Sequence, residues 1–380
     1  MRNDIVLGKL PNPFIFEDGT VAKTVAEWKK RRQEIINATV ELEYGGMPPQ
    51  PDEVALEKLT ETGWGRADCY RVHCKFGDKD FSFCFTNYLP KTPREKCPVV
   101  ITGDAMYYQN CNDKVIEEAH KRGFAVIKFN RTEIAHDMYN TSRDTGLYPL
   151  FPDSAFSAIS AWAWGYHRVV DALALLNHPN LDLENIAITG HSRGGKTVLL
   201  AGALDERIRF VNPNGSGTHG CGCYRFEQRE EEGVYEDARS ERLEDLFNAV
   251  PYWMGAGMRS YIGKEKELPH DMHFIKALVA PRYLLETNGY GDIWSNPRGA
   301  YLSNLAAKEV WKLYGKAENC KTWYREGGHK HLYEEFCALF DFMEWAINGK
   351  AWKDRLPYDD MPVLHDWSAT YDERDMEERD

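Results

Sequence analysis

Serine is a poor nucleophile until a base takes its proton and donors hold the oxyanion that follows. One stretch carries residue types for both tasks. In Gly190-His191-Ser192-Arg193-Gly194-Gly195-Lys196 a serine stands between glycines, with the apolar run Ile186-Ala187-Ile188 before it and Thr197-Val198-Leu199-Leu200-Ala201 after it. Gly-x-Ser-x-Gly between a buried strand and a buried helix reads as a nucleophile elbow. Small neighbours allow the sharp turn, and the first turn of the helix offers its free N–H groups to the oxyanion. The matching acid and base are expected further along, in the order serine, acid, histidine. Asp292 follows the predicted strand Arg282 to Gly289, and His329 follows the next, Thr322 to Tyr324. His331 is the rival base, and the tight Gly327-Gly328 turn favours His329. Arg193 is expected to stabilise the oxyanion or bind a carboxyl group, and Lys196, one turn into the helix, to donate to substrate hydroxyls. His191 points elsewhere on the turn, and His167 is expected to be satisfied within its own helix. His270 and His273 have no third ligand at zinc spacing, and Cys221-Gly222-Cys223 is too tight for the usual Cys-x-x-Cys motif. No metal or cofactor is expected, because a triad needs none.

The elements that must position these residues alternate along the chain. Residues 1–50 form an N-terminal extension with a polar helix around Ala26 to Arg32, whose basic run Lys29 to Arg32 is expected to be a solvated face. Alternating patterns in Tyr70 to Phe76 and Phe81 to Phe85 predict antiparallel strands. Cys97 to Gly103 and Gly123 to Phe129 are short buried strands, with a helix between them from Asn112 to Arg122. Asn130 to Pro152 is a long polar, aromatic loop of a kind that often belongs to a site. Ala155 to Leu176 is strongly helical and nearly apolar on one side, and its tryptophans suit core packing. Phe210 to Gly217 reads as a strand and a glycine-rich turn. Residues 224–273 read as a cap-like helical insertion over the sheet, and helices follow at Gly299 to Tyr314 and Glu334 to Asn348. This order predicts an α/β-hydrolase fold: a three-layer sandwich with a mostly parallel central sheet, antiparallel N-terminal strands and helices on both faces. Residues 1–367 are expected to form one domain and residues 368–380 an acidic tail.

Of the 380 residues, 43% are hydrophobic and 13% aromatic, which is a globular composition. A formal net charge of −12 argues against nucleic acid or an anionic membrane as the main partner. No apolar run approaches the roughly 18 residues of a membrane span. The first seven residues hold no signal-peptide pattern, which predicts a cytoplasmic location, or a secreted one where a leader has been removed. Nine scattered cysteines are expected to be reduced and mostly buried.

Several of these motifs together resemble the glucuronoyl esterases, carbohydrate esterase family 15. That family's elbow has the form Gly-Cys/His-Ser-Arg-x-Gly-Lys, matched by Gly190 to Lys196. Asp18-Gly19-Thr20 with Trp28, Ala161-Trp162-Ala163-Trp164-Gly165 with Arg168, Leu268-Pro269-x-Asp271-x-His273, Asp292-x-Trp294-x-Asn296-Pro297 and Gly327-Gly328-His329 extend the likeness over most of the chain. The resemblance implies that Ser192 is the nucleophile and His329 the base, that Arg193 helps the oxyanion, that Lys196 contacts the sugar and that Trp294 lines the pocket. Glu241 or Glu244 would correspond to a sugar-contacting glutamate. The acid position of fungal members corresponds to Gly215, whereas Asp292 fits the bacterial arrangement. The implied activity is hydrolysis of a uronic-acid ester such as 4-O-methyl-glucuronate. Acetyl-xylan or other sugar deacylation on the same scaffold is the alternative, and a non-catalytic carbohydrate-binding relative is a third. Thr218 to Cys223 departs from the family's Gly/Ala-rich turn.

Overall fold

The computed structural model describes residues 3–61, 67–91, 96–107, 110–235, 237–359 and 361–369; most of the acidic tail predicted from residue 368 onward lies outside them. A capping box between Thr24 and Glu27 starts helix α1 (Val25–Ile35), which runs through a π-turn into α2 (Glu41–Tyr44) and stops at Gly45 in the left-handed conformation. Strand β1 (Ile5–Val6) later pairs with β9 (Phe226–Glu227) in a small antiparallel sheet. The central sheet begins with the predicted meander, β2 (Glu53–Glu61), β3 (Asp68–Phe76) and β4 (Lys79–Tyr88). It continues through β5 (Cys97–Thr102), β6 (Ala125–Phe129), β7 (Leu181–His191), β8 (Ile208–Asn214), β10 (Tyr283–Gly289) and β11 (Cys320–Arg325). Nine strands lie in the order β2-β3-β4-β6-β5-β7-β8-β10-β11, and from β6 to β11 all neighbours are parallel.

Side-chain alternation explains the three layers. Val99, Ile101, Ala125, Ile127, Ile186 and Ile188 point to one face, where they pack with residues of α1, α4 (Ala158–Leu176), α5 (Arg193–Leu204), α7 (His273–Ala277) and α8 (Pro297–Leu313). The residues between them, Val100, Val126 and Ala187, point to the other face, against α3 (Asp113–Arg122) and α9 (Tyr333–Asn348). Both faces are buried, which is why these strands read as continuous apolar runs. The α/β-hydrolase architecture expected from the sequence is the one observed.

Four local expectations need correction. Arg31 and Arg32 are not a solvated face: Arg31 donates to the Pro13 carbonyl at 3.1 Å and Arg32 to those of Ala203 and Leu278 at 2.7 and 3.3 Å, tying α1 to the sheet's helices. Helix α4 is buried nearly all round, not on one side, because it lies between the sheet and the N-terminal segment. Several of its polar groups bond to other elements: Trp162 donates to Ala135, Trp164 to Pro49 and His167 to Ala201 of α5, so His167 is not satisfied within its own helix as expected. Among the described residues of 224–273 the regular helix is α6 (Leu243–Ala249), with α7 starting only at His273, and three 3₁₀ turns supply the rest.

Every cysteine is a free thiol, and six of the nine are buried. Among the described residues no helix is long and apolar enough to cross a membrane. The contact of α5 with β8 depends on Gly202, where a Cβ would lie 2.3 Å from a methyl of Val211. Gly202→Ala is therefore expected to cost about 1–3 kcal/mol through overpacking. Urea unfolding checks this, and an unchanged midpoint would show that the layer can yield.

Candidate active site

Parallel strands end on one edge of the sheet, and an open α/β sheet builds its site there. Here β5 leads to Asp104, β6 to Arg131, β7 to Ser192, β8 to Gly215, β10 to Asp292 and β11 to His329. Ser192 caps α5 with φ 57° and ψ −120°, a conformation costly for any residue with a side chain. Its N–H donates to the Asn214 carbonyl at 2.9 Å. The flanking glycines are needed for close approach rather than flexibility. A Cβ at Gly190 would lie 2.5 Å from the Gly194 oxygen, and one at Gly194 would lie 2.5 Å from an Asp104 carboxylate oxygen.

His329 Nδ1 lies 2.7 Å from Asp292 Oδ2 and 3.1 Å from Ser295 Oγ, whose own proton goes to the Gly215 carbonyl. Both neighbours accept, so Nδ1 carries the proton and Nε2 keeps its lone pair, the tautomer a general base requires. Burial works against charging this ring, but the hydrogen bond and charge of Asp292 outweigh it and raise its pKa above the usual histidine value. Asp292 itself is buried. The loop that carries His329 is held from below by Arg325, which donates to the carbonyls of Glu326, Gly328 and Lys330. Glu335 pairs with Arg325 at 2.8 Å and accepts from Asn214 at 2.6 Å.

The rival histidine sits in different surroundings. His331 is buried and stacked on Phe336 with centroids 3.9 Å apart, and burial holds its pKa well below the usual value. His191 donates from Nδ1 to Asn214 Oδ1 at 2.6 Å, and burial lowers its pKa to about 4. It therefore stays neutral beside His329, at a ring separation of 4.5 Å. The two carboxylate positions weighed from sequence converge: a Cβ built at Gly215 would lie 3.3 Å from Asp292 Oδ2. A side chain at 215 would thus enter the space that Asp292 fills.

Lys196 is buried, donates to the Thr218 carbonyl and pairs with Glu241 at 3.0 Å. Glu244, the other candidate, lies exposed in the first turn of α6. Trp294 is half-buried under the Arg239 guanidinium, and its carbonyl accepts from the Glu241 N–H at 3.0 Å, so Trp294 and Glu241 share one wall. Arg193 stacks on Trp253 at 4.6 Å and pairs with Asp137 at 2.8 Å. Asp137, Trp253, Ser295 and Arg325 were not singled out as site residues from the sequence. The long loop 130–152 and the motif Asp292 to Pro297 were the available signals for Asp137 and Ser295.

His270 and His273 do not come together on a metal: His270 faces buried Glu43 at 2.6 Å, and His273 donates to the Pro11 carbonyl at 2.7 Å. Among the described residues no group of three or more His, Cys, Asp or Glu side chains is placed to hold a metal ion.

A family model described as glucuronyl esterase, fungi, matches residues 72–315. The 4-O-methyl-glucuronoyl methylesterase 1 of Wolfiporia cocos is 32% identical over 341 residues, covering 88% of this chain and 80% of that protein. Among solved structures, a carbohydrate esterase family 15 glucuronoyl esterase from Caldicellulosiruptor kristjansonii superposes with a TM-score of 0.83 at 30% identity, covering 96% of this chain and 97% of the other. A mutant of the Sporotrichum thermophile glucuronoyl esterase, in complex with methyl 4-O-methyl-β-D-glucopyranuronate, shares the fold with a TM-score of 0.78 at 22% identity, covering 95% of this chain and 94% of the other. With a family model over more than half its length and such a relative over most of it, this chain belongs to the glucuronoyl esterase family.

Proposed function

We propose that this protein is a serine esterase that hydrolyses esters of a uronic acid of the 4-O-methyl-glucuronate class through an acyl-enzyme. The observation that carries the reading is the Asp292–His329 hydrogen bond of 2.7 Å, with the proton fixed on Nδ1, on the same sheet edge as the strained Ser192 elbow. Ser192 Oγ attacks the ester carbonyl while His329 Nε2 takes its proton. The N–H groups of the first turn of α5, with the Arg193 guanidinium, hold the tetrahedral oxyanion. His329 then protonates the departing alcohol, and the acyl-enzyme is hydrolysed by a water deprotonated by the same nitrogen. Lys196 and Glu241, a buried donor and acceptor side by side, suit the hydroxyls of a sugar ring better than an alkyl acyl group. The names of the relatives and the methyl uronate bound in one family structure support the same substrate class.

Wild type is expected to hydrolyse methyl or benzyl glucuronate, and Ser192→Ala to lose that turnover by roughly 10⁴-fold or more. Hydrolysis of 4-nitrophenyl acetate without glucuronate-ester turnover would replace this reading by the sugar deacylase. Lys196→Met is expected to lower the preference for the glucuronate ester over the acetate about ten- to hundred-fold, since a charged hydrogen bond is removed. An unchanged ratio would remove Lys196 from the binding site.

The pH dependence has a definite sign. The base works only when neutral, and His329 gains its proton at a higher pH than an ordinary histidine. Activity should therefore fall on acidification through a midpoint above about 6.5. Asp292→Asn should move that acid limb to lower pH and reduce kcat/KM roughly 10³-fold or more. A limb that stays in place in the variant would show that another group sets it.

A further inference from the structure

The residues on either side of the nucleophile, His191 and Arg193, are joined through a separate chain of buried charges. The His191 N–H donates to Asp104 Oδ2 at 2.8 Å. Asp104 Oδ1 pairs with Arg131 Nη1, and Arg131 Nη2 lies 3.8 Å from Asp137 Oδ2. The same Asp137 oxygen accepts from Arg193 Nη1 at 2.8 Å. Charges alternate along this path as carboxylate, guanidinium, carboxylate, guanidinium, and it closes a ring around Ser192.

Two features make this more than a surface ion pair. Arg131 has no exposed side-chain surface, and its Nε and Nη2 have no hydrogen-bond partner. Its guanidinium lies instead over Trp162 at 4.8 Å and Tyr107 at 5.6 Å. A buried cation so sparingly bonded is retained where its charge is needed, here between two carboxylates. Asp137 is also filled on its other oxygen: Tyr252 Oη and Trp253 Nε1 donate to Oδ1 at 3.0 and 3.1 Å. Trp253 is the ring on which Arg193 lies. Asp137 therefore fixes both the charge partner and the aromatic platform of one half-exposed guanidinium, which would otherwise sample many rotamers.

We propose that Asp137 is a positioning residue for Arg193, held in place by the buried Asp104–Arg131 pair, so that the guanidinium stands ready at the oxyanion before substrate arrives. The inference rests on the esterase reading of Ser192 and Arg193. It assigns to the loop at 130–152 the task of preorganising a transition-state donor. One Nη1 hydrogen goes to Asp137, and a planar guanidinium has four further N–H donors. Preorganised donors act on the transition state, so the effect belongs in kcat rather than KM.

The test is a double-mutant cycle on the full chain with methyl glucuronate and 4-nitrophenyl acetate. Asp137→Asn keeps an oxygen for Tyr252 and Trp253 but removes the charge. It is expected to lower kcat about ten- to hundred-fold with KM within roughly three-fold. In an Arg193→Ala background the same change should alter kcat less than about two-fold, because the group it positions is gone. Tyr252→Phe, which removes one anchor of Asp137 at a half-buried site, should give a smaller loss of kcat that also vanishes without Arg193. An equal loss from Asp137→Asn with and without Arg193, or a loss confined to KM, would overturn the proposal. Turnover of acetate alone would overturn the uronate reading while leaving the coupling between 137 and 193 measurable on that substrate, so the two ideas fail separately.

Discussion

The structure depends on holding a serine with φ 57° and ψ −120° at the end of a buried strand. That backbone is unfavourable by about 1–3 kcal/mol, and it persists only because the surroundings leave no room to relax. Asn214 on the neighbouring strand takes the Ser192 N–H, Asp104 takes the His191 N–H, and Lys196 N–H closes the first helical turn on the Ser192 carbonyl at 3.0 Å. Gly190 and Gly194 come close enough to exclude any Cβ. The residue types of the elbow follow from this crowding: the glycines are where the turn touches itself or Asp104.

The remaining functional groups reach the elbow because six parallel strands end at the same edge. A parallel sheet is buried on both faces, so its strand ends are stiff and loops leaving them are held at short range. Gly289 and Gly291 show how tightly this is done. A Cβ at Gly289 would lie 2.4 Å from the Gly327 oxygen, and the Gly291 N–H donates to that same oxygen at 3.0 Å. The loops of Asp292 and His329 are thus one body. Beneath them the Arg325–Glu335 pair is buried, and its spare donors tie down three carbonyls of the exposed loop that carries His329.

What the sequence made legible were features that repeat locally or are demanded by the chemistry. Alternation in Tyr70 to Phe76, the continuous apolar runs around Val99 to Ile101 and Ile186 to Ile188, the glycine spacing of the elbow, and the order of Ser192, Asp292 and His329 could all be read along the chain. Of the alternatives that sequence had left, His329 is the one beside Asp292 while His331 stacks on Phe336, and Glu241 is the one paired with Lys196. Groups that act through distant partners carried no such signal. Asp104 meets His191 across 87 positions, Asp137 meets Arg193 across 56, and Glu43 meets His270 across 227. Arg31 and Arg32 were misread for the same reason: a basic run looks solvated until the carbonyls that it satisfies are known.

Glu43 shows how far the site's support extends. It lies in an N-terminal helix that sequence treated as an extension, yet it is buried and receives His219, His270 and the Tyr224 hydroxyl. Burial alone would push its pKa up, but the hydrogen bonds and charges of the two imidazoles reverse the sign and keep it far below the usual carboxylate value. His219 spans from Glu43 to the Trp253 carbonyl, and on the Trp253 ring lie both Arg193 and, at 6.0 Å, Lys196. Each of those cations has its own carboxylate, Asp137 and Glu241 respectively. Neither cation beside the Trp253 ring is therefore left without a countercharge. A neutral ester can enter without a desolvated countercharge, and discrimination then rests on directed hydrogen bonds rather than on bulk attraction.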